Sequence, residues 1–145
     1  MNEKQIELVQ SSWEHVLPIA DVAAELFYTR LFVLDPSLKS MFQTDLSQQG
    51  TRLMRAISFA VNGLSKPEEI VPVLEHLGRR HVSYGVVTDH YTTVGAAFLW
   101  TLEQGLQDHF TDAVREAWTE AYTLMSDTMI KAAEKAILEG AHEAA

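Results

Sequence analysis

The sequence predicts an all-α fold. Apolar residues recur at helical spacing along almost the whole chain, prolines and glycines fall mostly where that spacing breaks, and no segment alternates as a strand would.

The first helix follows Asn2, a suitable N-cap with Gln5 three residues on. Ile6, Val9, Trp13, Val16 and Leu17 form its apolar stripe. Pro18 and Asp21 separate it from a second helix carrying Ala24, Phe27, Tyr28, Leu31 and Phe32. Asp35 precedes Pro36, and a residue before proline disfavours the α region, so the second helix stops there. Ser47 is the expected start of a third helix through Leu53, Ala56, Ile57, Ala60 and Leu64, with Gly63, Ser65 and Pro67 at its end. A fourth runs from about Glu68 to about Ser83, with Pro72 near its first turn and Gly85 as a stop. Thr88 or Asp89 caps a fifth, bearing Tyr91, Val94, Phe98, Leu102 and Leu106. Thr111 or Asp112 opens a sixth with Val114, Trp118, Ala121, Met125 and Met129, and the tail from Ala132 either extends it or frays.

A chain of 145 residues suits one domain over 1–145, large enough to bury one core or one cofactor pocket. Its 47% hydrophobic and 21% charged residues are ordinary globular values, which argues against a disordered or fibrous protein. A net charge of −9 disfavours nucleic acid and anionic membrane as main partners. The absence of cysteine excludes disulfides, iron–sulfur clusters and thiol catalysis. The polar start MNEKQIELVQ does not resemble a signal peptide, and no apolar run approaches the roughly 20 residues of a membrane span, so a cytoplasmic protein is expected.

The chemistry-bearing candidates are histidines. At about 100° per residue, Ile70, Leu74 and Leu77 define an apolar stripe on the fourth helix, and His81 falls on its midline. His76 points well away from that stripe, and His15 lies opposite the Trp13 stripe. His90 and His109 sit at helix ends, and His142 lies in the tail. Periodicity therefore sends His81 alone into the core. It can serve there as a metal ligand or as a core histidine bonded to a carbonyl. Tyr28 and Gln49 are polar groups on apolar faces of other helices, able to offer an O–H and an N–H donor to one pocket.

Three blocks resemble a known family. They are LFYTRLF with DPSLKSMF over 26–42, LGRRHVSYGVVTDHYTTVGAAFL over 77–99, and AWTEAY over 117–122. The chain is similar to single-domain bacterial globins, related to the haem domains of flavohaemoglobins, to Vitreoscilla-type haemoglobin and in places to neuroglobins. This resemblance implies the globin fold, a three-over-three helical sandwich, with haem b as cofactor and His81 as its iron ligand. It implies that Phe42 packs on the haem, that Tyr28 and Gln49 are the distal polar pair, and that Leu53 is their apolar neighbour. Arg52, and as a second candidate Arg80, match residues that meet a propionate. Val87, Val94 and Phe98 match pocket-lining positions, and Tyr91 matches a tyrosine that orients the proximal histidine. Trp13 and Trp118 read as core packing.

The sequence departs from the family pattern in three places. The stretch from Phe42 to Gln49 is short, which leaves Gln48 as a competitor for the distal position. Where flavohaemoglobins pair that tyrosine with a glutamate, this chain has Ala133, with Glu134 one residue on. No dinucleotide-binding glycine motif is present, so turnover that consumes electrons needs an external reductase. The resemblance implies reversible binding of O2, NO or CO, as in oxygen transport, by a monomer or homodimer. The enzymatic alternative is nitric oxide dioxygenation, that is, NO detoxification. A globin-fold domain without haem is a third reading.

Overall fold

The computed structural model describes residues 1–42 and 45–144, with side chains through Gly140. Helix α1 spans Glu3–Val16, α2 Ala20–Leu34, α3 Leu46–Asn62, α4 Pro67–Ser83, α5 Thr88–Leu106 and α6 Asp112–Ala144. Short 3-10 turns occupy Leu17–Ile19, Pro36–Met41 and Gln107–His109. Among the described residues there is no strand. No described helix is long and apolar enough to cross a membrane.

Local chemistry explains most of the boundaries. Asn2 Oδ1 accepts from Gln5 N at 2.8 Å and the Gln5 side chain accepts from Asn2 N at 3.1 Å, the reciprocal cap anticipated for α1. Asp35 leaves α2 in an extended conformation and accepts from Ser37 N at 3.1 Å, turning the chain into the Pro36–Met41 segment. Three starts differ from expectation. Asp45, not Ser47, caps α3 by accepting from Ser47 N at 2.9 Å. Helix α5 begins at Thr88 with Val87 before it; no side chain accepts from its first turn there, and the Val87 N–H donates to His90 Nδ1 at 3.1 Å. Helix α4 begins at Pro67, which puts Pro72 beyond the first turn, inside the helix. The tail continues α6 to Ala144 rather than fraying at Ala132. The His142 side chain and Ala145 lie outside the described residues.

Helices α1, α3 and α4 form one layer over α2, α5 and α6, with α4 and α1 seated on α6 and α3 on α2. At the centre the Trp13 and Trp118 rings lie 5.8 Å apart, both essentially inaccessible. Each indole N–H is satisfied: Trp13 donates to Ser58 Oγ at 2.9 Å and Trp118 to Ser12 Oγ at 2.8 Å. A buried indole without a partner would cost about 1–3 kcal/mol, so the serines let two large aromatics fill the core. Leu17, counted on the α1 stripe, is exposed because the helix tightens into a 3-10 turn there.

One contact sets the position of α4. A Cβ added at Gly78 would lie 2.3 Å from the Met129 carbonyl oxygen and 2.8 Å from its Cα, so the α4 and α6 backbones approach where only glycine fits. Gly78→Ala is therefore expected to destabilise the protein by about 1–3 kcal/mol, although alanine is favoured over glycine in a helix by about 0.5–1 kcal/mol. Thermal unfolding followed by circular dichroism checks the sign; an unchanged or raised Tm would contradict the tight approach.

Candidate functional site

Helix α4 positions His81 one turn beyond Gly78. The ring is half-buried, and its Nδ1 lies 2.5 Å from the Leu77 carbonyl oxygen, one helical turn back. In the tautomer that donates this bond, the proton sits on Nδ1 and the lone pair on Nε2 is free. Burial lowers the His81 pKa, outweighing the Leu77 carbonyl, which raises it; the Arg80 charge adds to the lowering. The ring is thus neutral at pH 7, the state in which imidazole is a metal ligand. The carbonyl bond is the one expected of a core histidine, and it occupies one ring nitrogen and leaves the other.

The remaining described histidines are placed differently. His15 and His109 are exposed and stack at 4.7 Å, His76 is exposed, and His90 is spent on the α5 start. Among the described residues no group of three or more His, Cys, Asp or Glu could hold a metal ion. Any metal at His81 must bring other ligands with it.

A second wall is built from α2, α3 and the segment between them. Tyr28 is buried on α2, and its ring lies 5.3 Å from Phe42 and 6.2 Å from Phe32; Phe32 and Phe42 are 5.6 Å apart. Burial pushes the Tyr28 phenol up to about 12, with the Gln49 side-chain hydrogen bond pulling the other way. Tyr28 is therefore an O–H donor at any physiological pH. Gln49 is half-buried and Gln48 exposed, so the two glutamines separate, and Gln49 is the one beside Tyr28. Gly50 permits this: a Cβ there would lie 2.9 Å from that of Ala24, so α3 sits tightly on α2 at this point. Leu53 packs against the core one turn further on.

Helices α3 and α4 are successive in the chain, yet they are not among the helix pairs that pack extensively on each other. Helix α3 rests on α2 and α1, whereas α4 rests on α6. Helix α3 carries Gln49 and Leu53, and α4 carries His81.

The other expected site residues occupy several environments. Arg52 and Arg80 are exposed, and the Arg80 guanidinium lies 5.9 Å from the centre of the Tyr84 ring. Val94 is half-buried against the core. Phe98 is buried, edge-on to Trp118 at 5.4 Å. Val87 is exposed, at 56%. The Tyr91 ring is 6.4 Å from that of His81, and its hydroxyl is buried without a hydrogen-bond partner. Glu134 is exposed and Ala133 half-buried, so no carboxylate meets that hydroxyl.

Sequence reasoning missed Tyr122, whose hydroxyl donates to the Tyr91 carbonyl at 2.5 Å and ties α6 to the start of α5. It also missed Tyr84, 5.7 Å from His81 ring to ring. The i, i+3 spacing from His81 could have indicated Tyr84. Nothing local marks Tyr122.

Residues 25–129 match the family model described as Globin. The chain is 30% identical over 148 residues to the flavohemoprotein of Bacillus subtilis, covering 100% of this chain and 37% of that protein. It is 28% identical over 145 residues to the neuroglobin of Danio rerio, covering 90% of this chain and 91% of that one. The chain thus spans a little over a third of its Bacillus relative's length. Among solved structures it is similar to an engineered carbene transferase derived from a candidate nitric oxide dioxygenase of Rhodothermus marinus. The TM-score is 0.88 at 19% identity, covering 97% of this chain and 99% of that one, a likeness of fold.

The Tyr28 environment makes a titration prediction. The folded pKa, about 12, lies above the ordinary 10.0, so the folded state holds this proton more tightly than the unfolded chain does. Stability from this group is intact below pH 10 and is lost as pH rises toward 12. A difference titration of phenolate absorbance between wild type and Tyr28→Phe should show a midpoint near 12. A midpoint near that of free tyrosine would contradict the burial.

Proposed function

This chain belongs to the globin family, and we propose that it holds haem b on His81 and reversibly binds O2, and with it NO or CO. The observation that carries this reading is the His81 tautomer: Nδ1 is engaged by the Leu77 carbonyl at 2.5 Å, which leaves Nε2 as the one lone pair for iron. Haem would be held by His81 and would supply an iron centre able to take up a diatomic ligand.

The residues present suit that group. Iron in a macrocycle needs a single protein ligand, in keeping with a half-buried imidazole beside Tyr84 and Tyr91. Phe42 and Leu53 offer apolar surface, and Val87, Val94 and Phe98 contribute the same on the α5 side. Arg52 and Arg80 are exposed cations suited to the two propionates. Tyr28 and Gln49 present O–H and N–H donors, which favour a diatomic ligand that acquires negative charge. The unpartnered Tyr91 hydroxyl lies close to the proximal histidine. Without a carboxylate there, the imidazole is not made strongly basic, which suits a carrier better than a peroxidase-like centre. A cytoplasmic setting, where reductants are at hand, accords with this role.

A second reading is nitric oxide dioxygenation, in which NO, O2 and one electron give nitrate. It is favoured by the likeness to the Bacillus flavohemoprotein and to the Rhodothermus candidate dioxygenase. It requires an electron donor to return the iron to its ferrous form, and the same residues would serve.

Purified protein should show a Soret band at one haem per chain, and a colourless protein that cannot be reconstituted would end both readings. A hydrogen bond to a charged partner contributes about 1.5–3 kcal/mol, and about 1.4 kcal/mol is tenfold in rate. Tyr28→Phe and Gln49→Leu are accordingly expected to release O2 about ten to a hundred times faster than wild type, read by stopped-flow. Unchanged release in both would contradict the donor assignment. Steady NO consumption with a generic reductase tests the second reading.

A further inference from the structure

Helix α3 spans the corner between α1 and α2. It is held to α2 where a Cβ at Gly50 would meet that of Ala24. About two turns on it is held to α1, where Trp13 Nε1 donates to Ser58 Oγ at 2.9 Å and Gln10 Nε2 to the Val61 carbonyl at 3.0 Å. Between these anchors the chain turns from α1 into α2 through the 3-10 segment Leu17–Ile19. A hollow of about 280 Å³ opens at that corner. Leu17, Ala20 and Met54 give it an apolar lining. Asp21, Thr51, Arg55 and Ser58 give it polar groups.

The polar groups here are not spent on one another. Among the described residues the ion pair present is Arg115–Glu103, so Asp21 and Arg55 border one hollow with opposite charges that do not neutralise each other. Ser58 Oγ accepts from Trp13, and among the described residues nothing takes up its own proton. Thr51 Oγ1 donates to the Ser47 carbonyl at 3.1 Å, which leaves its lone pairs to accept. Met54 is buried, whereas Leu17 is 47% exposed, apolar surface that a ligand would remove from water. The hollow therefore offers a cation, an anion, a hydroxyl donor and an apolar surface within one small volume.

We propose that this hollow binds a small zwitterion with an apolar side chain, that is, a free aliphatic α-amino acid. The ligand's carboxylate meets the Arg55 guanidinium and the Ser58 hydroxyl, and its ammonium meets the Asp21 carboxylate and the Thr51 lone pairs. Its side chain covers Leu17, Ala20 and Met54. A volume of about 280 Å³ lies at the small end of ligand sites, which run from roughly 300 to 1,000 Å³, and so suits an amino acid better than a nucleotide. A simple anion would be repelled by Asp21 and a simple cation by Arg55, whereas a zwitterion satisfies both, so the pair of charges selects the class of ligand. None of the lining residues is assigned to haem, and the proposal does not depend on that assignment.

The test uses the full chain with L-leucine as probe, read by calorimetry and by NMR of the Met54 methyl and the Trp13 indole N–H. Leucine should bind at one per chain with a Kd of about 1 mM or tighter, and both resonances should shift along the same curve. Three analogues each remove one contact: 4-methylpentanoate lacks the ammonium, 3-methylbutylamine lacks the carboxylate, and glycine lacks the side chain. Each should bind at least about tenfold more weakly than leucine. Arg55 and Asp21 are exposed. Arg55→Gln and Asp21→Asn should each weaken leucine binding to a similar degree with unchanged circular dichroism. No shift of either resonance at about 10 mM leucine would overturn the proposal. So would equal binding of leucine and 4-methylpentanoate, or undiminished binding of leucine by both variants. The analogue series uses wild type alone and decides the matter should a variant unfold.

Discussion

Helix α4 touches α6 backbone to backbone at Gly78, and the position of His81 depends on that contact. Helix α3 is held on α2 through the equally tight meeting of Gly50 and Ala24. Small residues at these contacts let each pair of helices approach more closely than larger side chains would allow. His81 follows Gly78 by one turn on a segment that cannot shift without disturbing the α6 backbone, and Gln49 immediately precedes Gly50 on α3. The chemistry-bearing residues sit beside the least movable points of the helices that carry them, as a preorganised site requires.

The electrostatics of the two walls are complementary in kind. On α4 the imidazole is kept neutral by burial and oriented by a backbone carbonyl, so it offers an electron pair. On α2 and α3 a phenol that stays protonated to about 12 stands beside an amide, so this side offers protons without charge. Burial raises the Tyr91 and Tyr122 phenols as well. Tyr122 discharges its O–H on the Tyr91 carbonyl, whereas the Tyr91 hydroxyl is left without a partner close to His81. That orphaned donor is the point at which the arrangement around the histidine is incomplete.

Much of the fold could be read from the sequence because it rests on local rules. The Asn2–Gln5 cap, the stop at Asp35–Pro36 and the spacing of apolar residues depend on neighbours within a few positions, and each reappears in three dimensions. The phase of His81 on the fourth helix is also local, which is why one histidine of six could be singled out. What escaped depends on distance along the chain or on competition between similar residues. Asp45 displaced Ser47 because its carboxylate accepts from the Ser47 N–H, which starts the helix two residues earlier. The α5 start differs because no side chain caps it at Thr88 or Asp89, while a histidine inside the helix accepts from the N–H of Val87 before it. The close meetings at Gly78 and Gly50 were invisible to periodicity, since each joins one helix to another.

The central claim is that His81 Nε2 is the protein's ligand to haem iron, and a cavity variant tests it most directly. Apo protein and its His81→Gly variant would be titrated with haem, and the ferrous Soret spectra read with and without added imidazole. The account predicts an imidazole-ligated spectrum at one haem per chain in wild type, its loss in His81→Gly, and its return when imidazole fills the space left by the side chain. An imidazole-ligated spectrum in His81→Gly without added imidazole would contradict it.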